Sequence, residues 1–175
     1  MSLIKLNNNA VKNVSSLASA STGDLVFISK QTASSSASIS FTSGIDSTYK
    51  EYVFYFVSLH VANDNNQITF NFSTDGGSNY NVSKTTTLFR ALHHESDGTT
   101  GLSYETGGDL AQSTGTQRLT KNMSNDNDNG LSGFMHLFNP SSTTFVKHFM
   151  TRTSSTTYHP YNFADFVAGY GNTTS

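Results

Sequence analysis

"EYVFYFVSLHV", residues 51–61, is the strongest strand signal in the chain, and its two faces decide how the rest is read. Successive side chains of a strand point to opposite sides. Val53, Tyr55, Val57 and Leu59 therefore line one face, and Tyr52, Phe54 and Phe56 the other. Apolar residues on both sides predict a central strand covered twice, by a second sheet and by another subunit or loop. "QITFNFS" (67–73) is of the opposite type, with Ile68, Phe70 and Phe72 inward and Gln67, Thr69 and Asn71 outward. That alternation predicts a half-buried strand.

Working outward, "TDGGSN" (74–79) supplies the Asp and paired Gly that a tight reversal needs. A return strand is expected through 80–92, and then a loop-rich region, 93–129, with short strands near 102–106 and 116–120. Three regular strands follow at 130–138, 143–153 and 162–170, joined by "NPSS" (139–142) and "SSTTYHP" (154–160). Asn-Pro is a turn initiator. Towards the N-terminus, "LVFISKQT" (25–32) and "SASISF" (36–41) also read as strands. Roughly eight strands with turn signals and no helical period predict an all-β fold, an antiparallel, jelly-roll-like β-sandwich over residues 24–175.

Residues 1–23 are a polar lead carrying Leu3, Ile4, Leu6, Val11, Val14 and Leu17 amid Asn and Ser. The two readings are an amphipathic helix, which "NNN" and "SS" oppose, and an extended arm that docks onto a neighbour. The expected assembly residues are Leu3, Ile4, Leu6, Val11 and Val14.

Composition supports the all-β reading. Ser, Thr and Asn contribute 67 of the 175 residues, only 13% are charged, and there are two prolines. Good helix formers are scarce and strand-favouring Thr, Tyr, Phe and Val plentiful. The length suits one domain burying roughly 70% of its unfolded surface, enough for a core without staples. There is no cysteine, so neither disulfides nor a thiolate metal site can form. A net charge of −2 with no Lys/Arg run opposes nucleic-acid binding. No apolar run reaches membrane-spanning length, and the N-terminus lacks the apolar region of a secretory signal. The five Asn-x-Ser/Thr sequons (Asn13, Asn71, Asn81, Asn122, Asn172) match chance at this composition.

Candidate chemistry is thin. "SNDNDNGL" (124–131) opens like a calcium loop, but counting twelve from Asn125 reaches His136 where a bidentate acid belongs. A looser site on Asp126 and Asp128 would be weak, and the stretch reads as a polar turn, like "NDNN" (63–66). "HHESD" (93–97) has zinc-ligand types at a spacing that fits no zinc motif. The three glutamates, Glu51, Glu95 and Glu105, select no glycosidase pair, and no G-x-S-x-G elbow occurs. His60, His136 and His148 fall within strands, as structural histidines do. No catalytic, cofactor-binding or metal residue is predicted. Tyr49, Tyr80, Tyr104, Tyr158 and Tyr161 sit at predicted strand ends or loops, where sugar rings stack. Of these, Tyr80, Tyr104, Tyr158 and Tyr161 are the expected rim contacts for a ligand.

"IDSTYKEYVFYFVSLHVAND", "FNFSTDGGSNYNVSKTTTLFRA", "DLAQST", "GFMHLFNPSSTTFVKHFM" and "FVAGYGNTTS" resemble a group of small virion structural proteins of marine tailed phages. These occur in cyanophages and in phages of other marine bacteria, and are described as tail-fibre-like or of unknown role. The likeness spans nearly the whole chain, including "SLIKLNNNAVKNV", and carries no catalytic motif, so no functional residue transfers. It implies a particle component, found in the virion and assembled in the host cytoplasm. The expected form is a homotrimeric appendage module, a tail fibre ahead of capsid decoration or a head fibre. Its arm would dock on other capsid or tail proteins and its rim loops would face a host-surface glycan. The alternative is a carbohydrate-binding β-sandwich module, and a third reading is a calcium-stabilised adhesin. Related chains continue past an "AGYGNTTS"-like string, which implies a closing strand after Ser175 or one supplied by a neighbour.

Overall fold

The computed structural model describes residues 25–174. The chain divides into two units, residues 1–30 and 31–175. Of the first, only 25–30 are described; they have no regular structure, and Leu25, Val26, Phe27 and Ile28 are exposed. The arm residues Leu3, Ile4, Leu6, Val11 and Val14 lie outside the described residues.

The second unit is all-β, with no helix among the described residues. Its strands are β1 (Glu51–Leu59), β2 (Asn66–Phe70), β3 (Lys84–His94), β4 (Thr100–Tyr104), β5 (Gln117–Met123), β6 (Leu131–Phe138), β7 (Lys147–Thr156) and β8 (Tyr161–Gly171). Six form one sheet in the order β1-β6-β7-β8-β3-β4, and β2 and β5 form a second. Every pairing between these strands is antiparallel. The division is thus six and two.

Several expectations change. Residues 25–32 and 36–41 form no strand. In the serine-rich part the side chains satisfy the backbone locally, as where Ser36 Oγ donates to the Ser34 carbonyl and Ser35 turns to φ +48°. β1 is not central: among the described residues it pairs with β6 alone and forms one edge of the large sheet. Its inner face, Tyr52, Phe54 and Phe56, packs on the core, while Tyr55 and Val57 are exposed on the other. The turn at 74–79 does reverse the chain, with Gly76 and Gly77 at φ +67° and +90°. The strand after it, β3, however, joins the large sheet between β8 and β4, while β2 pairs with β5. Residues 154–156, read as connector, complete β7.

The inner face of the large sheet carries a mixed core. Tyr52, Leu88, Met135, Leu137, Phe149 and Val167 form one buried cluster, joined by Phe70 and Phe72 from the small-sheet side. Val61, Leu119, Met123 and Leu131 form a second. Between and beside them the Thr- and Ser-rich composition finds its use. Thr86 Oγ1 donates to Gln117 Oε1 at 2.6 Å, Thr120 and Ser155 hydroxyls meet at 2.7 Å, and Thr153 Oγ1 donates to the Leu119 carbonyl at 3.2 Å. Each bond ties β5 to the large sheet.

An ionic network completes this layer. Arg90 of β3 and Asp165 of β8 are buried, with Nε donating to Oδ1 at 2.8 Å and Nη2 at 2.7 Å from the same oxygen. Glu105 gathers Arg90 at 3.3 Å, Arg118 at 3.4 Å and Lys121 at 2.8 Å. The Arg90 guanidinium lies 3.9 Å over the Phe163 ring. Burial lifts the Asp165 carboxyl above its ordinary range, while Arg90 draws it back.

Lys84 is buried with no such ionic partner among the described residues. Its Nζ donates to Asn71 Oδ1 at 2.5 Å and the Val82 carbonyl at 2.7 Å, both neutral acceptors. Burial pushes its ammonium down from 10.5 to about 8. The folded chain therefore releases this proton before the unfolded chain does, and stability rises as pH climbs from about 8 to 10.5. Lys84→Met is expected to flatten that rise when melting temperature is followed against pH. An unchanged slope would assign the effect elsewhere.

Candidate interaction surface

Sequence reasoning singled out tyrosines and polar loops; the structure places them apart. Tyr158 and Tyr161 flank the β7–β8 connection, Tyr158 against His159 at 3.9 Å and Tyr161 edge-on to His94 at 4.6 Å. Tyr80 precedes β3, whose Lys84 end pairs with Gly171 at the far end of β8. Its carbonyl accepts from Asn71 Nδ2 at 2.7 Å. Tyr104 closes β4 beside Phe89, and its hydroxyl donates to Asp109 Oδ2 at 2.7 Å, which raises the phenol's pKa. Tyr80, Tyr158 and Tyr161 thus do not share one rim, because β3 and β8 separate them by their full length.

The 124–131 stretch is a turn. Ser124 Oγ donates to Asp126 Oδ2 at 2.8 Å, Asn129 N donates to the Asp126 carbonyl at 2.9 Å, and Asn125 N reaches Asp64 Oδ1 at 2.9 Å. The two Asn/Asp loops read from sequence are therefore bonded to each other. At the end of β3, His93 contacts Asp97 at 2.9 Å and His94 Nδ1 meets Ser96 Oγ at 2.7 Å. No three His, Asp or Glu side chains gather as a metal site among the described residues. His136 lies in β6 as expected and bonds to Glu51 across to β1.

One groove does include this turn. It holds about 540 Å³ and is lined by Ser58, His60, Asn127, Asp128, Ser132 and Asn162, among others. Ser58 stands at φ +50° in the irregularity of β1, its N–H donating to Ser132 Oγ at 3.0 Å. The lining is mainly hydroxyl and carboxamide, joined by the His60 ring and the Asp128 carboxylate, with no Tyr or Phe among its residues.

The larger feature is the outer face of the six-stranded sheet, turned away from β2 and β5. One residue of each strand falls in a single row across it. Tyr55 pairs with Phe134, Phe134 with Arg152, Arg152 with Phe166, Phe166 with Phe89, and Phe89 with Tyr104. Five of the six are aromatic. Phe89 and Phe166 stack at 4.7 Å with planes 3° apart, and the Arg152 guanidinium sits 5.2 Å from the Phe166 ring. Rings stacked on each other spend their faces internally and offer edges outward. That geometry suits packing against side chains and not stacking of a sugar.

The neighbouring row is Val53, His136, Met150, Ala168 and Thr87. Here the floor drops at Ala168 and Thr87, leaving a hollow of about 510 Å³ walled by Phe89, Phe134, Phe138 and Phe166. Exposure is high for a sheet face: Tyr55 62%, Val57 74%, Leu102 74%, Tyr104 52% and Met150 52%. Lone exposed apolar residues are ordinary, but a contiguous patch of this kind marks an interaction surface. The sequence held the signal in residues 51–61, whose second apolar face predicts cover by another subunit or loop; what differs is that the strand carrying it is an edge and not central.

No protein-family model matches the chain, no curated protein matches it, and no solved structure matches it.

Proposed function

We propose that the chain is a structural module of a bacteriophage particle, a homotrimeric appendage that works by assembly and not by catalysis. The observation that carries this reading is the exposed aromatic outer face, a surface suited to permanent contact with protein. Low charge and the abundance of Ser, Thr and Asn favour it, as does the resemblance to marine phage virion proteins. A tail fibre is preferred to capsid decoration or a head fibre. Residues 1–23 dock the module on other virion proteins, and the loops at the strand ends face the host surface, where Tyr158 and Tyr161 lie. The jelly-roll-like form is part of this reading for the assembled state, in which residues 36–41, strand-like in sequence, would widen the two-stranded sheet. Mass spectrometry of purified particles is expected to find the chain in fixed stoichiometry, with antibody label on an external appendage. Its absence from washed particles would end this reading.

A second reading, a carbohydrate-binding module, is favoured by the polar groove around Ser58, Asn127 and Asn162. A glycan array showing binding that Asn162→Ala abolishes would select it.

A further inference from the structure

We infer that the outer face of the large sheet is where copies of this chain meet, three faces packing around an axis parallel to the strands. This deepens the trimeric reading and rests on it for the copy number. The partner is another copy because the face is nearly without charge: Glu51 is bonded to His136, and Arg152 is held over Phe166. A strongly charged partner would find little to pair with there.

Its two halves also fit each other. In the aromatic row, Tyr55, Phe134 and Arg152 belong to the β1-β6-β7 half, and Phe166, Phe89 and Tyr104 to the β8-β3-β4 half. Turned about such an axis, the first half of one copy meets the second half of the next. Tyr55 then faces Tyr104 of the neighbouring copy, Phe134 faces its Phe89, and Arg152 its Phe166. In the adjacent row the large Met150 and His136 face the neighbour's small Ala168 and Thr87, so large side chains enter the hollow. Such a contact is heterologous and closes into a ring at three copies.

Dimensions agree. Six strands at about 4.8 Å spacing make a face about 24 Å wide, and three such faces in a triangle stand about 7 Å from the axis. Face-packed sheets contribute about 5 Å of side chain each, so the long Met150, Arg152 and Phe166 of the middle strands are the ones needed there. The exposed area sets how the copies hold together. Taking full burial of an aromatic as about 150–250 Å², the face offers roughly 700–900 Å² per copy, divided between two neighbours. Each contact therefore buries roughly 350–450 Å² per side, less than the about 800 Å² per partner of a stable binary complex, and the closed ring of three contacts is needed for stability.

The arrangement has one unfavourable element, which gives it a signature. Three Arg152 side chains approach the axis, and like charges in an interface repel. Screening by salt should therefore tighten the trimer, and removing the charge should tighten it further. The test is sedimentation of the full chain at increasing concentration, with circular dichroism and melting temperature confirming the fold of each variant. Wild type is expected to run as three copies. Ala168→Lys, at an exposed position in the hollow, is expected to weaken association at least about tenfold. Thr87→Lys provides the same readout if Ala168→Lys folds poorly. Arg152→Met is expected to strengthen association about tenfold or more at low salt. A wild type that stays monomeric or stops at two copies overturns the inference. So does a trimer indifferent to both lysine substitutions, or one loosened or unmoved by Arg152→Met. A trimer unaffected by these changes, in particles that contain the chain, would reject this face while leaving the particle reading intact.

Discussion

Asp165→Ala is expected to destabilise the monomer fold by about 3–5 kcal/mol, because it leaves a buried guanidinium without its closest partner. Asp165 and Arg90 are 0% and 1% exposed. What remains for Arg90 is Glu105, at 3.3 Å and already shared with Arg118 and Lys121, and the Phe163 ring at 3.9 Å. For a domain of this size the loss corresponds to about 6–20 °C in melting temperature. The double change Arg90→Met/Asp165→Leu is expected to recover much of it, since an apolar pair of similar volume pays no desolvation. Urea unfolding of the two singles and the double measures the coupling directly. A cost below about 1 kcal/mol for Asp165→Ala would mean that the Thr, Ser and Gln bonds of β5 hold the layers without the ion pair.

That network illustrates what sequence patterning could and could not reach. Each of the eight strands overlaps a stretch read as strand, but β4 and β5, which show no period-two burial, lie in the region read as loop-rich and their bounds shift by one to three residues. Gly76–Gly77 and Asn139–Pro140 reverse the chain as their chemistry requires. Strand order was beyond reach, because β1 meets β6 and β3 meets β8 through contacts that local pattern does not encode. The polar core was hidden for a related reason. Arg90, Asp165, Lys84 and Gln117 read as surface residues in isolation, and burial is made tolerable by partners distant in sequence or in loops: Asp165 for Arg90, Thr86 for Gln117, and Asn71 with the Val82 carbonyl for Lys84. Residues 25–32 erred in the other direction, their apolar pattern satisfying a strand template although they form no strand.

The same blindness explains the misreading of β1 and points to the surface of interest. An apolar residue in a strand says only that it leaves water somewhere, in this chain or against another. Tyr55 and Val57 stay exposed in the single chain while Tyr52, one pleat over, is buried. A doubly apolar strand at a sheet edge is thus a pointer to association, and the aromatic row continues that pointer through Phe134, Phe166 and Phe89 to Tyr104.

Phe149 and Met150 are adjacent on β7 and face opposite ways, so they separate folding from association in one strand. Phe149 is 1% exposed and meets Phe70 at 5.2 Å and Phe72 at 5.4 Å, both edge-on. These rings seat β2 and the chain after it on the large sheet, with Phe70 and Phe72 also 5.2 Å apart. Phe149→Ala removes the central ring of the three and is expected to cost about 3–5 kcal/mol. Phe149→Leu, which keeps most of the volume, should cost less than about half of that. Met150→Ala takes three non-hydrogen atoms, half the loss of Phe149→Ala, from the outer face, where the residue is 52% exposed. Under dilute, monomeric conditions it is expected to change unfolding free energy by no more than about 0.5 kcal/mol. At concentrations where copies associate, the order reverses: Met150→Ala should loosen the assembly, while the fraction of Phe149→Ala that remains folded should assemble as wild type does. Equal losses of monomer stability from the two substitutions would mean that both sides of the sheet are buried within one chain, and the outer face would then have no partner to receive.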